Sequence, residues 1–460
     1  MDPGEVTLLV HGGTVVTSWR CPEVIAGGAV GIAGARVAVV GSSAELRAAH
    51  PGARHLDAHG GLIVPGLINA HHHFYSALAR GLNPGYRTAT FVDILDKLWW
   101  RLDRALDLDA VRVSAELSLL ACIKAGCTAF FDHHASPGCI SGSLEVIGEA
   151  ALRAGLRGVL AYEVTDRNGR AGARLGIAEN QRFIQACRGQ QRLRGVMGLH
   201  ASFTLSDETL AEVAAALAAL DPADGGCHVH VAEDRADVSE SRAALGGDPV
   251  ARLDRFGMLG PRALLAHGVH LDAVALSRVA ESGAVLVHNP ESNANNAVGW
   301  LDLKRARAAG ATICLGTDGM SSAPLRSLRF SFLADRLQRA DATAGFEVHP
   351  ELLANNAAVA RRFFDDDRLG ELTVGAPADV AVIDAPPPTP MAPDNFFGHL
   401  IYGAADAAMR HTIASGKVLM ENGDVLSLDA RAIVENARRL APGLWARFAD
   451  TAPGTPFRVL

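Results

Sequence analysis

Residues 65–74 read PGLINAHHHF. A Pro-Gly pair leads into an apolar run that ends in three histidines. In a strand, alternate side chains share a face, so His71 and His73 point one way and His72 the other. The same design recurs down the chain. An apolar segment ends in a polar group in CHVHVAED (227–234), LLAHGVHL (264–271), VLVHNPESN (285–293) and CLGTDG (314–319). A ring of parallel strands with functional side chains at their carboxyl ends produces this pattern. Three imidazoles and a carboxylate can hold a divalent metal that makes a nucleophile of water near neutral pH.

Further candidate strands are TAFFDHH (128–134), RGVLAYEVTD (157–166) and RGVMGLHAS (194–202). Helical patterns separate most of the strands. In SDETLAEVAAALAAL (206–220) Ser206 is a candidate N-cap, with Thr209 three positions on in place of the usual Glu. Eight strands alternating with helices predict an α/β fold of the (β/α)8 TIM barrel type over residues 64–369. Residues 1–63 and 370–425 carry short Val-rich runs broken by glycine and are predicted to form one small composite β-sandwich from both ends of the chain. Residues 426–460 read as a C-terminal helix and tail, and 325–364 reads as helical. The stretch 74–106, with Phe91, Trp99 and Trp100, is too long for a plain loop and is expected to cover the mouth of the barrel.

With 460 residues, 49% hydrophobic and 20% charged, the chain can bury a large core plus an accessory domain. A net charge of −7 gives no support to nucleic-acid or anionic-membrane binding. The seven cysteines form no Cys-x-x-Cys pair, which argues against a disulfide framework or a thiolate zinc site. No basic leader and no run of 18 apolar residues is visible, so a cytoplasmic protein off the membrane is the expectation.

Each candidate side chain has a bland and a chemical reading. One histidine alone is usually a packed core or surface residue. Two at strand spacing after an apolar run read as metal ligands, so His71 and His73 are assigned that role. His228 and His230 share a face, and His230, nearer the carboxyl end, is the expected ligand. Glu233, just past that strand, is either a loop carboxylate or a proton shuttle, and the shuttle is preferred. His267 is a further ligand or a hydrogen-bond donor to the attacked group. An aspartate after a wholly apolar strand is a poor core residue unless paired, so Asp318 is read as a ligand and helper in catalysis. His200, His133, His134 and His288 also end strands and are expected, with Trp99, to contact substrate.

These motifs, taken together, resemble the amidohydrolase superfamily. More narrowly, they resemble the branch holding the guanine, cytosine and S-adenosylhomocysteine deaminases and the triazine hydrolases. DHHASPGCISGSLEVIGEAALRAGLRGVLAYEVTDRNG (132–169), RLGIAENQRFI (174–184) and HNPESNANNAVG (288–299) are similar to the SsnA-type aminohydrolases. MSSAPLRSLRF (320–330) departs from that pattern. The resemblance covers nearly the whole chain. It implies a barrel with a terminal β-sandwich, metal bound by His71, His73, His230 and Asp318, proton transfer by Glu233, and water or substrate oriented by His267. It also implies a homo-oligomer, a dimer or higher. Relatives with two metals bridge them by a carboxylated lysine, and none of the four lysines here ends a barrel strand. One divalent metal is therefore expected, with zinc first and iron(II) second.

The expected reaction is hydrolysis of a carbon–nitrogen bond outside peptides, as deamination of a purine-, pterin- or triazine-like heterocycle. Ring opening of a cyclic ureide or reduced purine-like ring is the alternative. Hydrolytic dechlorination and a non-catalytic barrel are weaker readings.

Overall fold

The computed structural model describes residues 5–454. The first four residues, on which part of the export-signal reading rests, and the last six of the tail lie outside the described residues.

Eight strand positions run parallel around a barrel. They are Leu67–His72, Cys127–His134, Arg157–Tyr162, the pair Leu193–Gly195 and Met197–Ala201 interrupted at Val196, Cys227–Val231, Ala263–His267, Val285–His288 and Thr312–Leu315. Hydrogen bonding is continuous from the fourth to the eighth and from the first into the fourth. Single bridges join the two arcs, Val164 with Leu199 and His72 with Asp318. Helices wrap the outside, as the alternating pattern requires. The helix Asp207–Ala218 opens on Ser206, whose hydroxyl accepts from Thr209 N at 3.1 Å. Thr209 gives its own hydroxyl to Asp166 instead of completing a capping box.

The barrel interior is layered. Its lower part is apolar, with Ile68, Phe131, Val159, Leu264, Val285 and Cys314 in one buried cluster. Phe363, on the helix His349–Phe364, joins that cluster, its ring 5.3 Å from Phe131. Side chains above this floor are polar. The predicted helical run 325–364 is two helices, Pro324–Arg339 and His349–Phe364. The break follows Ala340, whose left-handed φ of 49° ends the first helix.

The two ends of the chain meet in a nine-stranded sheet. Leu62–Pro65 pairs antiparallel with Val380–Ile383 and hands the chain directly into the first barrel strand. The stretch after that strand folds into short helical turns, Phe74–Ala79, Phe91–Ile94, Leu95–Trp99 and Trp100–Ala105. The C-terminal helix Ala430–Asp450 pins it down. Arg101 donates from Nη2 to Phe448 O at 3.0 Å and from Nε to Thr451 O at 2.6 Å, supplying donors where a helix runs out of its own. Trp445 donates to Leu78 O at 2.9 Å. No helix among the described residues is long and apolar enough to cross a membrane.

Asn356 staples the seam between the first and eighth strands. Its Nδ2 donates to Ile68 O at 2.7 Å and Leu315 O at 2.9 Å, and its Oδ1 accepts from Leu315 N at 2.8 Å. Asn356→Leu strands these buried backbone groups and should cost about 2–4 kcal/mol. Urea unfolding reads this, and a loss below about 0.5 kcal/mol would show that the seam holds without the amide.

Candidate metal centre and its cavity

Three imidazoles from two strands meet above the apolar floor. His71 lies in the first strand and His73 just past its end, His230 lies in the fifth, and the ligand-capable atoms of the three lie within 4.8 Å of one another. His73 Nε2 and His230 Nε2 stand 3.0 Å apart. Each ring is committed on its other side. His73 Nδ1 donates to His133 O at 2.5 Å and His230 Nδ1 donates to His200 O at 2.8 Å. A carbonyl only accepts, so each Nδ1 carries a proton and each Nε2 is turned inward. Below them, His71 Nδ1 contacts His228 Nε2 at 2.8 Å, so His228 buttresses a candidate ligand from one layer down.

Asp318 completes the group. Its Oδ1 is 3.0 Å from His73 Nε2 and 3.5 Å from His71 Nε2. The N–H groups of Thr317 and Asp318 both donate to His71 O at 3.0 Å, so the eighth strand is tied to the first where the group forms. Burial would raise the Asp318 carboxyl, yet the imidazoles of His71 and His73 beside it hold it well below the usual range. Burial drives His71 and His230 well down, keeping them neutral. Burial also opposes charge on His73, but Asp318 outweighs it and lifts that ring to about 9. This point of the barrel therefore draws positive charge. A proton on His73 would leave His71 Nε2 and His267 Nε2, both buried, still without partners. One cation among these atoms would serve them all, and N and O donors of this kind suit a divalent metal.

His267 Nδ1 donates to Asn293 Oδ1 at 2.8 Å, and its Nε2 lies 3.4 Å from Glu233 Oε2 and 3.8 Å from Asp318 Oδ2. Glu233 accepts from Asn296 Nδ2 at 3.2 Å, and burial, with Asp318 nearby, raises its carboxyl. Three strand ends here are left-handed at non-glycine residues: Ala232 at φ 49°, His267 at 76° and Asp318 at 52°. Such strain collects where side chains must be re-aimed. Asp237 holds one of these bends, accepting from Ala232 N at 2.7 Å and from Phe203 N at 3.2 Å.

A cavity opens above this group. The covering stretch supplies Tyr75, Phe91, Leu95, Trp99 and Trp100 to its wall, and His200 and Phe203 face them. Trp99 and His200 thus stand where substrate contacts are expected. His133 lies one layer lower, inside the barrel against His230 but off the cavity wall, with Nε2 donating to His228 O at 3.0 Å. His133 in that place departs from the expected substrate contact, and so do His134 and His288. His134 follows His133 by one residue and so takes the opposite face, bonding Ser136 Oγ at 2.9 Å. His288 likewise turns outward to Ser331 Oγ at 3.0 Å and packs on Trp300. Neither lines the cavity.

Sequence reading passed over a charged triad in the wall. Arg167 is fully buried, in contact with Asp103 and 3.2 Å from Glu163 Oε1. Burial pushes Glu163 up, but His200, His133 and Arg167 outweigh it and hold the carboxyl low. Burial wins at Asp103, raised to about 6. Glu163 follows an apolar strand just as Asp318 does, in phase with the inward-facing Val159 and Ala161, so the rule applied to Asp318 would have found it.

Residues 62–419 match the Amidohydrolase family. The chain belongs to the amidohydrolase family. It is accordingly a hydrolase of carbon–nitrogen bonds other than peptide bonds. Among curated proteins this amidohydrolase is 31% identical over 418 residues to a 5-methylthioadenosine/S-adenosylhomocysteine deaminase of Moorella thermoacetica, covering 89% of this chain and 94% of the relative. The Halobacterium salinarum protein of the same name is 33% identical, covering 86% and 90%. Among solved structures, a zinc-bound adenosine deaminase from Xanthomonas campestris superposes with a TM-score of 0.83 at 22% identity, over 96% of this chain and 99% of that one. A triazine hydrolase of Arthrobacter aurescens gives 0.78 at 22%, over 95% and 100%. These two likenesses speak to the barrel fold.

Arg167→Met would leave Asp103 and Glu163 as buried carboxylates without their cation. The expected cost is about 3–5 kcal/mol, read by chemical denaturation. A loss under about 1 kcal/mol would mean that the pair is compensated elsewhere.

Proposed function

We propose that this amidohydrolase deaminates an amino-substituted nitrogen heterocycle, with an adenine nucleoside as the first candidate. The observation that carries the reading is the convergence of His71, His73, His230 and Asp318 beside Glu233 and His267, on the floor of an aromatic-walled cavity. The names of the curated relatives support the choice of an adenine nucleoside.

In this reading His71, His73, His230 and Asp318 hold one divalent cation, zinc before iron(II). When bound, the cation supplies the Lewis acidity that makes a water molecule nucleophilic near neutral pH. Glu233 carries one proton from the attacking water to the ring nitrogen as the C–O bond forms, then carries the second from the new hydroxyl to the amine as the C–N bond breaks. Burial, which raises its carboxyl, suits it to carry that proton between steps. His267, fixed by Asn293, faces both Glu233 and Asp318 and steadies charge at the attacked carbon. Trp99, Phe91 and Phe203 offer flat apolar faces to an aromatic ring. The amine is replaced by oxygen and ammonia leaves.

Glu233→Gln should keep its metal and lose at least about a thousandfold in turnover. Ammonia release and metal content measured on one preparation check this, and near-normal turnover in the variant rejects the shuttle. A product that gains the mass of water without ammonia release would favour ring opening. Chelator treatment should abolish activity and lower the thermal midpoint, with both restored by zinc. An unchanged midpoint after complete metal removal would argue against a buried cation at this point.

A further inference from the structure

The cavity above the candidate metal centre is one-sided in charge. Five carboxylates reach its surface, those of Asp103, Glu163, Glu233, Asp237 and Asp318. Among the described residues lining it there is no lysine and no arginine. Asp318 stands at the candidate cation's own position and Glu233 lies beside it, 3.4 Å from His267 Nε2, so their charges offset those of a divalent cation. The opposite wall has no such balance. Arg167 is the guanidinium nearest that wall, and it lies behind Asp103 and Glu163, with its side chain only 1% exposed. Two carboxylates share this one cation, and Trp100 covers it at 5.1 Å from its ring centroid. Asp103 Oδ1, itself buried, has no hydrogen-bond partner. Asp237 spends its oxygens on backbone N–H groups and meets no cation by direct contact. The remaining wall is largely aromatic and apolar, with the uncharged polar groups of Ser76, Ser292, Asn295 and Asn296 among it, and its low polarity strengthens any charge interaction inside it by excluding water.

We infer that the substrate is an uncharged or cationic aminoheterocycle, and that the cavity rejects the same heterocycle once it carries a carboxylate or phosphate. This inference deepens the deaminase reading and rests on it. A group that must leave water needs a partner of opposite sign or it pays the full desolvation cost. No such partner faces the cavity, and the carboxylates of Asp103 and Glu163, with only Arg167 between them, repel an anion. Discrimination of this kind works by building against the wrong ligand as much as for the right one. A nucleobase, or a nucleoside with an uncharged 5′ substituent, fits the rule. A nucleotide, or a nucleoside carrying an amino-acid carboxylate, does not.

The test uses the zinc-loaded full chain and matched pairs on three scaffolds: adenosine against adenosine 5′-phosphate, guanine against its N9-carboxymethyl derivative, and a diaminotriazine against its carboxymethyl derivative. Ammonia release gives kcat/KM, and calorimetry on Glu233→Gln gives Kd without turnover. The neutral member should win by about a hundredfold or more in both measures, in whichever pair is accepted. An anionic member within about threefold of its partner overturns the inference, as does failure of every neutral member to bind. Binding of a neutral member without ammonia release would sink the deaminase reading alone, because the charge rule is still read from Kd. Asp103→Asn removes one carboxylate and leaves Arg167 to Glu163, so the discrimination should shrink by about tenfold. A ratio unchanged in a folded Asp103→Asn protein would place its origin elsewhere and overturn the assignment.

Discussion

Two imidazole Nε2 atoms facing each other across 3.0 Å, with a carboxylate oxygen beside them, are the constraint around which this barrel is arranged. Nothing in the two rings forces that opposition. The force comes from the neighbouring strands. His133 O takes the proton side of His73 and His200 O takes that of His230, so each imidazole is turned by the strand next to it. The tautomers are thus written into the main chain. Asp318 joins them because its own N–H and that of Thr317 reach His71 O across the seam. Site and seam are one set of contacts.

The wall of the cavity depends on a second set, farther out. The stretch after the first strand carries most of the aromatic side chains, yet it has only short helical turns and little sheet to hold it. Arg101 compensates by reaching into the end of the C-terminal helix, stacking 4.0 Å over Phe448 and donating to the final carbonyls. Asp103, two residues on, points the other way and meets Arg167. One short turn therefore joins the outer helix to the charged pocket wall. Placement of Trp99 and Trp100 follows from these two anchors.

Much of this was legible in the residues because strand periodicity maps spacing onto facing. His71 with His73, His228 beneath His230, and Asp318 after an apolar run all obey it, and so does the outward turn of His72 to Ser322. Where the reading failed, the same periodicity was not carried one residue further. His134 cannot share the face of His133, and His288 cannot share that of Val287. The triad of Asp103, Glu163 and Arg167 was harder to see, since its members lie up to 64 residues apart and only the fold makes them neighbours. Asp237 is a helix residue with no local sign that it braces two strand ends. The left-handed turns at Ala232 and His267 carry no sequence mark either, because neither position is a glycine.

A donor set divided among the first, fifth and eighth strands, and aimed by carbonyls of the second and fourth, cannot exist in a half-made ring. Any fragment offers at most scattered histidines. Completion of this group thereby acts as a topological check: it forms only when distant portions of the polypeptide have found their proper order.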